Sequence, residues 1–294
     1  MSERKAMAAA SSVSQTPGGC GQTESPKEGG LPERRDLPIG VLDSGVGGIS
    51  VLREMVRLMP GEDFLFYGDA AYAPYGTKTR QQVCERTLAC VEEMMQTGIK
   101  ALVVACNTAT SAAIEVLREK YDRQIPVVGI EPALKPAVSG GRNGGGKPTV
   151  LVMATPGTVA GEKWKALTRQ YEGKAKILSL PCPGLMEYVE RGILEGDELN
   201  RFLRDLLGEL PRSGVDAVVL GCTHYPFVRH ELEKIFSSET RILDGSEGTA
   251  RQLLRRLKKR ELLRMDPSHE GQVTFTGSGE AREDFCRMLL EWEP

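Results

Sequence analysis

"GIKALVVACNTAT" runs from Gly98 to Thr110, and "GVDAVVLGCTHYP" runs from Gly214 to Pro226. Aligned without a gap, the two stretches set Cys106 opposite Cys222, 116 residues later in the chain. Each cysteine stands just past a short aliphatic and β-branched run, the pattern of a strand buried on both faces. A second pair of segments repeats in the same order. "PIGVLDSGVGG" from Pro38 and "PTVLVMATPGTV" from Pro148 both pass from a proline into a strand, then into a Ser/Thr and Gly turn. Any two buried strands share some likeness, but two matched pairs in register favour an internal duplication.

Outward from these segments, strands and helices alternate. "IGVLD", "DFLFYGD", "KALVVA" and "IPVVGI" read as strands, separated by helical patterns at "ISVLREMVRLM", 80–97 and around 112–121. Gly98 follows the second helix as a C-cap. After the glycine-rich "SGGRNGGGKP", the strands "TVLVMAT", "AKILSL" and "DAVVLG" alternate with helices around Trp164 and across 187–210. A late strand, "QVTFTG", is expected to return to the first unit. This alternation predicts an α/β fold of two similar domains with mainly parallel sheets, related by a pseudo-two-fold axis, with the site in the cleft between them. The expected division is a disordered tail over 1–36, a first domain of 37–133 plus 244–294, and a second of 134–243. The tail is rich in Ser, Gly, Pro and charge and poor in large apolar side chains.

Composition narrows the function. With 294 residues, 40% apolar and 27% charged, the chain can bury a core in each of two domains. A net charge of −2 and an aromatic content of 5% offer neither a basic footprint nor stacking platforms for nucleic acid. No apolar run approaches the roughly 20 residues of a membrane helix, and no secretion signal opens the chain, so a cytoplasmic location is expected. Seven cysteines, at 20, 84, 90, 106, 182, 222 and 286, show neither C-x-x-C pairs nor zinc-ligand spacing. Neither a metal nor a disulfide framework is expected, and Cys84 and Cys90 read as ordinary core residues of a helix.

Ligands of open α/β sheets bind beyond the carboxyl ends of the strands. Four polar segments fall there: "DSGVGG" (Asp43 to Gly48), Tyr75 with Gly76, "CNTAT" (Cys106 to Thr110) and "CTHYP" (Cys222 to Pro226). The glycines of "DSGVGG" suit an anion at a helix N-terminus, but neither nucleotide fingerprint is complete. A carboxylate fits the same donors, and a tight turn needs glycine in any case. Asp43 reads equally as a helix N-cap or as a partner for an ammonium group. A thiol at a helix start is biased toward the thiolate by the dipole, and Asn107, Thr108 and Thr223 add donors. Two chemistries compete. Cys222 could attack a carbonyl with His224 as base, leaving Cys106 idle. Alternatively, one thiolate could take a proton from carbon while the other thiol delivers one to the opposite face. The symmetry of the repeat favours the second. His224 beside Cys222 reads as functional more readily than as hydrogen-bonded support; His230 and His269 read as surface residues.

"LDSGVGG", "DAAYAPYG", "ACNTAT" and "LGCTHYP", in this order and spacing, resemble the cofactor-independent glutamate racemases. The resemblance implies that Cys106 and Cys222 carry protons, Cys106 on the D-enantiomer and Cys222 on the L-enantiomer. It implies that Asp43, Ser44, Tyr75, Gly76, Asn107, Thr108, Thr223 and His224 line a glutamate site, and that Asp43 and His224 assist the thiols. Glu190, in "CPGLMEYVE", matches a further carboxylate of the family. No cofactor is implied, the product is D-glutamate for peptidoglycan, and a homodimer is left open, since relatives are often dimers. Aspartate or a related acid as substrate, or a non-catalytic binding module for small anions, are the competing readings.

Overall fold

The computed structural model describes residues 33–141, 145–210, 214–279 and 282–293. Most of the expected tail, 1–32, and residues 142–144 of the glycine-rich stretch lie outside the described residues. Among the described residues, nine strands build two sheets: β1 (Ile39–Asp43), β2 (Phe64–Asp69), β3 (Ala101–Val104), β4 (Val127–Gly129), β5 (Thr149–Ala154), β6 (Lys176–Pro181), β7 (Ala217–Leu220), β8 (Arg241–Asp244) and β9 (Val273–Ser278). The first sheet has the order β4-β3-β1-β2-β9 and the second β6-β5-β7-β8. Every pairing is parallel. Read from the other edge, the second sheet is β8-β7-β5-β6, which reproduces the order of the first four strands. The repeated sequences therefore occupy equivalent places, β1 with β5 and β3 with β7, and β9 extends the first sheet only.

Parallel strands joined by helical crossovers are covered on both faces, and the burial shows it: β1, β3 and β7 have no residue open to solvent. Helices Arg80–Thr97 and Asn107–Tyr121 cover one face of the first sheet, closing a cluster around Leu42, Val91, Leu102 and Leu117. The second sheet is covered by Leu134–Ser139 and Glu162–Arg169. The largest cluster runs from one sheet into the other, from Val41 and Val103 to Leu151 and Val218. Each sheet thus closes a cluster of its own, and the two share a third.

Local chemistry sets the element ends. Thr79 and Gln82 cap each other at the start of helix Arg80–Thr97, with Gln82 N–H donating to Thr79 Oγ1 at 3.2 Å and Thr79 N–H to Gln82 Oε1 at 3.0 Å. Gly98, at φ +90°, ends that helix in a backbone region that side chains disfavour. Two differences from the sequence reading bear on the site. The helix expected around 112–121 begins at Asn107, immediately after Cys106. And β8 is a strand that the hydrophobic pattern of "RILD" does not announce.

The tail expectation also changes at its end. Arg34–Asp36 form a 3-10 turn because cations hold its carbonyls: Lys100 reaches Arg35 O, and Arg264 donates to Asp36 O at 2.6 Å. Lys100 is fully buried and ion-paired with buried Glu62. Removing one member of such a pair strands the other charge, at about 3–5 kcal/mol. Glu62→Ala is expected to lower the unfolding free energy by that amount, as read from urea denaturation.

Candidate active site

The carboxyl ends of β1, β3, β5 and β7 converge on one small cavity. Ser44, Tyr75, Gly76, Cys106, Asn107, Thr108, Cys222, Thr223 and His224 all line it. The two cysteines reach it from different sheets, Cys106 after β3 and Cys222 after β7. Thr155, Thr158, Met186 and Gly221 complete the wall; sequence reading missed these four, although "ATPGT" repeats the strand-to-turn pattern of "LDSGVGG". Asp43 and Glu190 do not line the cavity. Each stands one hydrogen bond behind it.

Cys106 caps helix Asn107–Tyr121, accepting from Ala109 N–H at 3.4 Å and donating to Ser44 Oγ at 3.6 Å. The helix start was expected to favour the thiolate here. Burial outweighs it, and with the nearby Asp43 carboxylate pushes the Cys106 thiol up to about 12. Cys222 was expected to sit at a helix start as well. Instead a 3-10 turn, Tyr225–Val228, follows it, so no full helix points at this sulfur.

An imidazole takes the place of the dipole. His224 Nδ1 lies 3.6 Å from Cys222 Sγ, and Nε2 lies 2.9 Å from Glu190 Oε1. Burial disfavours a charged His224, but its hydrogen bonds to Cys222 and Glu190 raise its pKa well above the usual histidine value. Glu190 also accepts from Val46 N–H at 3.1 Å and from Arg282 Nη1 at 2.8 Å. Arg282 is a site residue that the sequence reading lacked. Such close approach requires glycine: a Cβ at Gly45 would lie 2.3 Å from Glu190 Oε1, and one at Gly47 would lie 2.4 Å from His224 Nδ1.

Asp43 is not a helix N-cap, for helix Ile49–Leu58 begins five residues beyond Ser44 and has Gly48 at its cap position. Its Oδ1 accepts from Gly45 N–H at 2.9 Å and its Oδ2 from Thr223 Oγ1 at 3.0 Å. Complete burial raises its pKa above the usual value, against the pull of His224 and these donors. Thr223 is held a second time from the helix that follows β1, since Ser50 Oγ also donates to Thr223 O at 2.8 Å. On the opposite side, the Thr108 hydroxyl meets those of Thr155 and Thr158 at 3.4 Å each. Elsewhere, Cys84 is half-buried and Cys90 buried, as expected of core thiols. His230 is exposed, while His269 is hydrogen-bonded to Asp63 at 2.9 Å. Among the described residues, no cluster of His, Cys, Asp or Glu could hold a metal ion.

Two buried thiols from different parallel sheets line one cavity, with a histidine and a carboxylate behind one of them, an arrangement suited to an enzyme that moves protons. The chain belongs to the Asp/Glu/hydantoin racemase family, whose model matches residues 39–253. Within that family its relatives include the glutamate racemases of Clostridium novyi, 48% identical over 86% of this chain and 95% of the relative, and of Clostridium acetobutylicum, 50% identical over 83% and 93%. Among solved structures, the glutamate racemase of Francisella tularensis in complex with D-glutamate superimposes with a TM-score of 0.74 at 27% identity, covering 88% of this chain and 95% of that one. The Escherichia coli glutamate racemase, in complex with L-glutamate and an activator, gives 0.71 at 30% identity, covering 86% and 92%.

The Glu190 environment has a measurable consequence. Burial alone would raise this carboxyl, but His224, Val46 N–H and Arg282 take it down from 4.5 to about 2. The difference amounts to about 3 kcal/mol of stability. Because the folded pKa is the lower one, this contribution is complete above about pH 5 and drains away as pH falls toward 2. Glu190→Gln lacks it. The gap in unfolding free energy between wild type and variant is therefore expected to shrink by that amount over this range, as measured by denaturant titration at each pH.

Proposed function

We propose that this racemase interconverts L- and D-glutamate, with Cys222 and Cys106 as its two proton carriers. The observation that carries the reading is that both cysteines, brought from different sheets, line one cavity. The relatives named above carry the substrate assignment. The residues 37–133 with 244–294 act as one lobe and 134–243 as the other, in keeping with the membership of the two sheets.

An imidazolium at His224 stabilises negative charge on the neighbouring sulfur of Cys222. That thiolate takes the α-hydrogen of L-glutamate as a proton, and the bonding pair remains on the α-carbon, delocalised into the carboxylate. Cys106, held as a thiol by burial, then gives its proton to the opposite face. D-glutamate results, with the charge now on the Cys106 sulfur; the reverse direction retraces these steps. Charge developing at the carboxylate needs donors already in place. Asn107, Thr108, Ser44 and the first N–H groups of helix Asn107–Tyr121 supply them, while the Thr223 hydroxyl proton is engaged by Asp43. His224 is the one side chain in the wall that can carry positive charge, so neutral donors bear most of this task.

The cavity has a free volume of about 10 Å³, room for one water rather than an amino acid. Hydroxyl contacts of Thr108 with Thr155 and Thr158 bridge the two sides of this wall, so glutamate requires a wider site than this one. The reaction supplies D-glutamate for peptidoglycan in the cytoplasm, a role in keeping with the absence, among the described residues, of any helix long and apolar enough to cross a membrane.

Incubation with L-glutamate in deuterated water is expected to give D-glutamate carrying deuterium at the α-carbon, and aspartate is expected to turn over far more slowly. Cys106→Ser and Cys222→Ser should each lower turnover by at least about 10²-fold, the scale of a lost acid–base group. Folded wild-type protein that exchanges neither enantiomer would overturn the assignment.

A further inference from the structure

The two thiols are not supported alike. Cys106 meets a hydroxyl and a backbone N–H. Behind Cys222 runs a chain of groups from three separate elements: His224 after β7, Glu190 at the end of helix Leu185–Glu190, and Arg282 just ahead of helix Glu283–Glu291. Arg282 grips Glu190 twice, with Nη1 on Oε2 at 2.8 Å and Nη2 on the main-chain oxygen at 2.6 Å. Oε1 remains for His224 Nε2 and Val46 N–H. The guanidinium also lies over the Phe285 ring, 4.3 Å from its centroid. Neighbouring Glu283 is engaged by Arg287, which leaves Arg282 to Glu190.

A carboxylate on a two-methylene arm does not orient itself, and its direction decides where the imidazole points. A planar guanidinium gripping both the side chain and the backbone of one residue fixes that direction, which a lysine cannot do. We propose that Arg282 is a positioning residue for the Cys222 half of the reaction: acting through Glu190, it holds His224 against the sulfur. The segment that follows β9 is thereby part of the catalytic apparatus, though it touches neither substrate nor thiol. The inference rests on the two-thiol reading of the site.

The test compares Arg282→Met with wild type in steady-state kinetics, using L- and D-glutamate, each with hydrogen or deuterium at the α-carbon. Misplacing a catalytic group by about 1 Å costs on the order of 10²-fold, and kcat/KM for Arg282→Met is expected to fall on that scale. Equilibrium requires the fall to be equal in both directions, so the isotope effects locate it. Slowing the transfer at Cys222 raises the primary isotope effect with deuterated L-glutamate and lowers it with deuterated D-glutamate. Arg282→Lys, which keeps the charge without the double grip, is expected to lie between, and serves in its place if the methionine variant does not fold. Arg287→Met, on the helix that Arg282 precedes but without contact to Glu190, should match wild type. Unchanged kcat/KM in Arg282→Met, or a fall with both isotope effects unaltered, overturns the inference while wild type still racemises. Wild type inactive on both enantiomers overturns the two-thiol reading and this inference with it.

Discussion

A buried imidazole held between a carboxylate and a sulfur is the contact on which the rest of the site is arranged. His224 is almost inaccessible to solvent, where charge is costly unless it is matched. Glu190 supplies the match at 2.9 Å, and its own negative charge is compensated by Arg282 and Val46 N–H. The arrangement explains why "SGVGG" is so poor in side chains. The loop must run alongside this hydrogen-bonded carboxylate and ring, and even a methyl group at Gly45 or Gly47 would collide with them.

The repeat produces two-fold likeness in the backbone and abandons it in the chemistry. Both thiols follow equivalent strands, but one is backed by a helix terminus and a hydroxyl, the other by a histidine hydrogen-bonded to a carboxylate. Inversion of a stereocentre needs a group on each face; it does not need the two groups to be alike. Burial favours the thiol at Cys106, whereas Cys222 has an imidazole nitrogen 3.6 Å from its sulfur. The two halves of the site are therefore built differently.

How much of this could be read beforehand depended on the range of the forces involved. The two-sheet architecture was legible because strands such as "ALVV" and "AVVL" are buried on both faces and write themselves as unbroken apolar runs. β8 was not, because it lies at a sheet edge where only Ile242 is fully buried. The early start of helix Asn107–Tyr121 was hidden by its cap, since a cysteine rarely takes the place of Ser or Asp. Cys222 appeared to begin a helix, but Pro226 sits in a 3-10 turn there. The residues around the cysteines were found from their positions at strand ends, whereas Glu190 was reached through family resemblance alone. Arg282 meets Glu190 across 92 residues of chain, and no local pattern marks a partner so far away.

The order of the strands carries one more consequence. The second sheet is formed by 149–244 alone, and the chain returns to the first sheet afterwards, so only two passages of backbone connect them. These passages touch: Gly245 is packed so closely on the Glu131 carbonyl that a Cβ would lie 2.3 Å from the oxygen. A side chain at Gly245 would therefore press on both connections at once, at the place where the backbone ties the two sheets together.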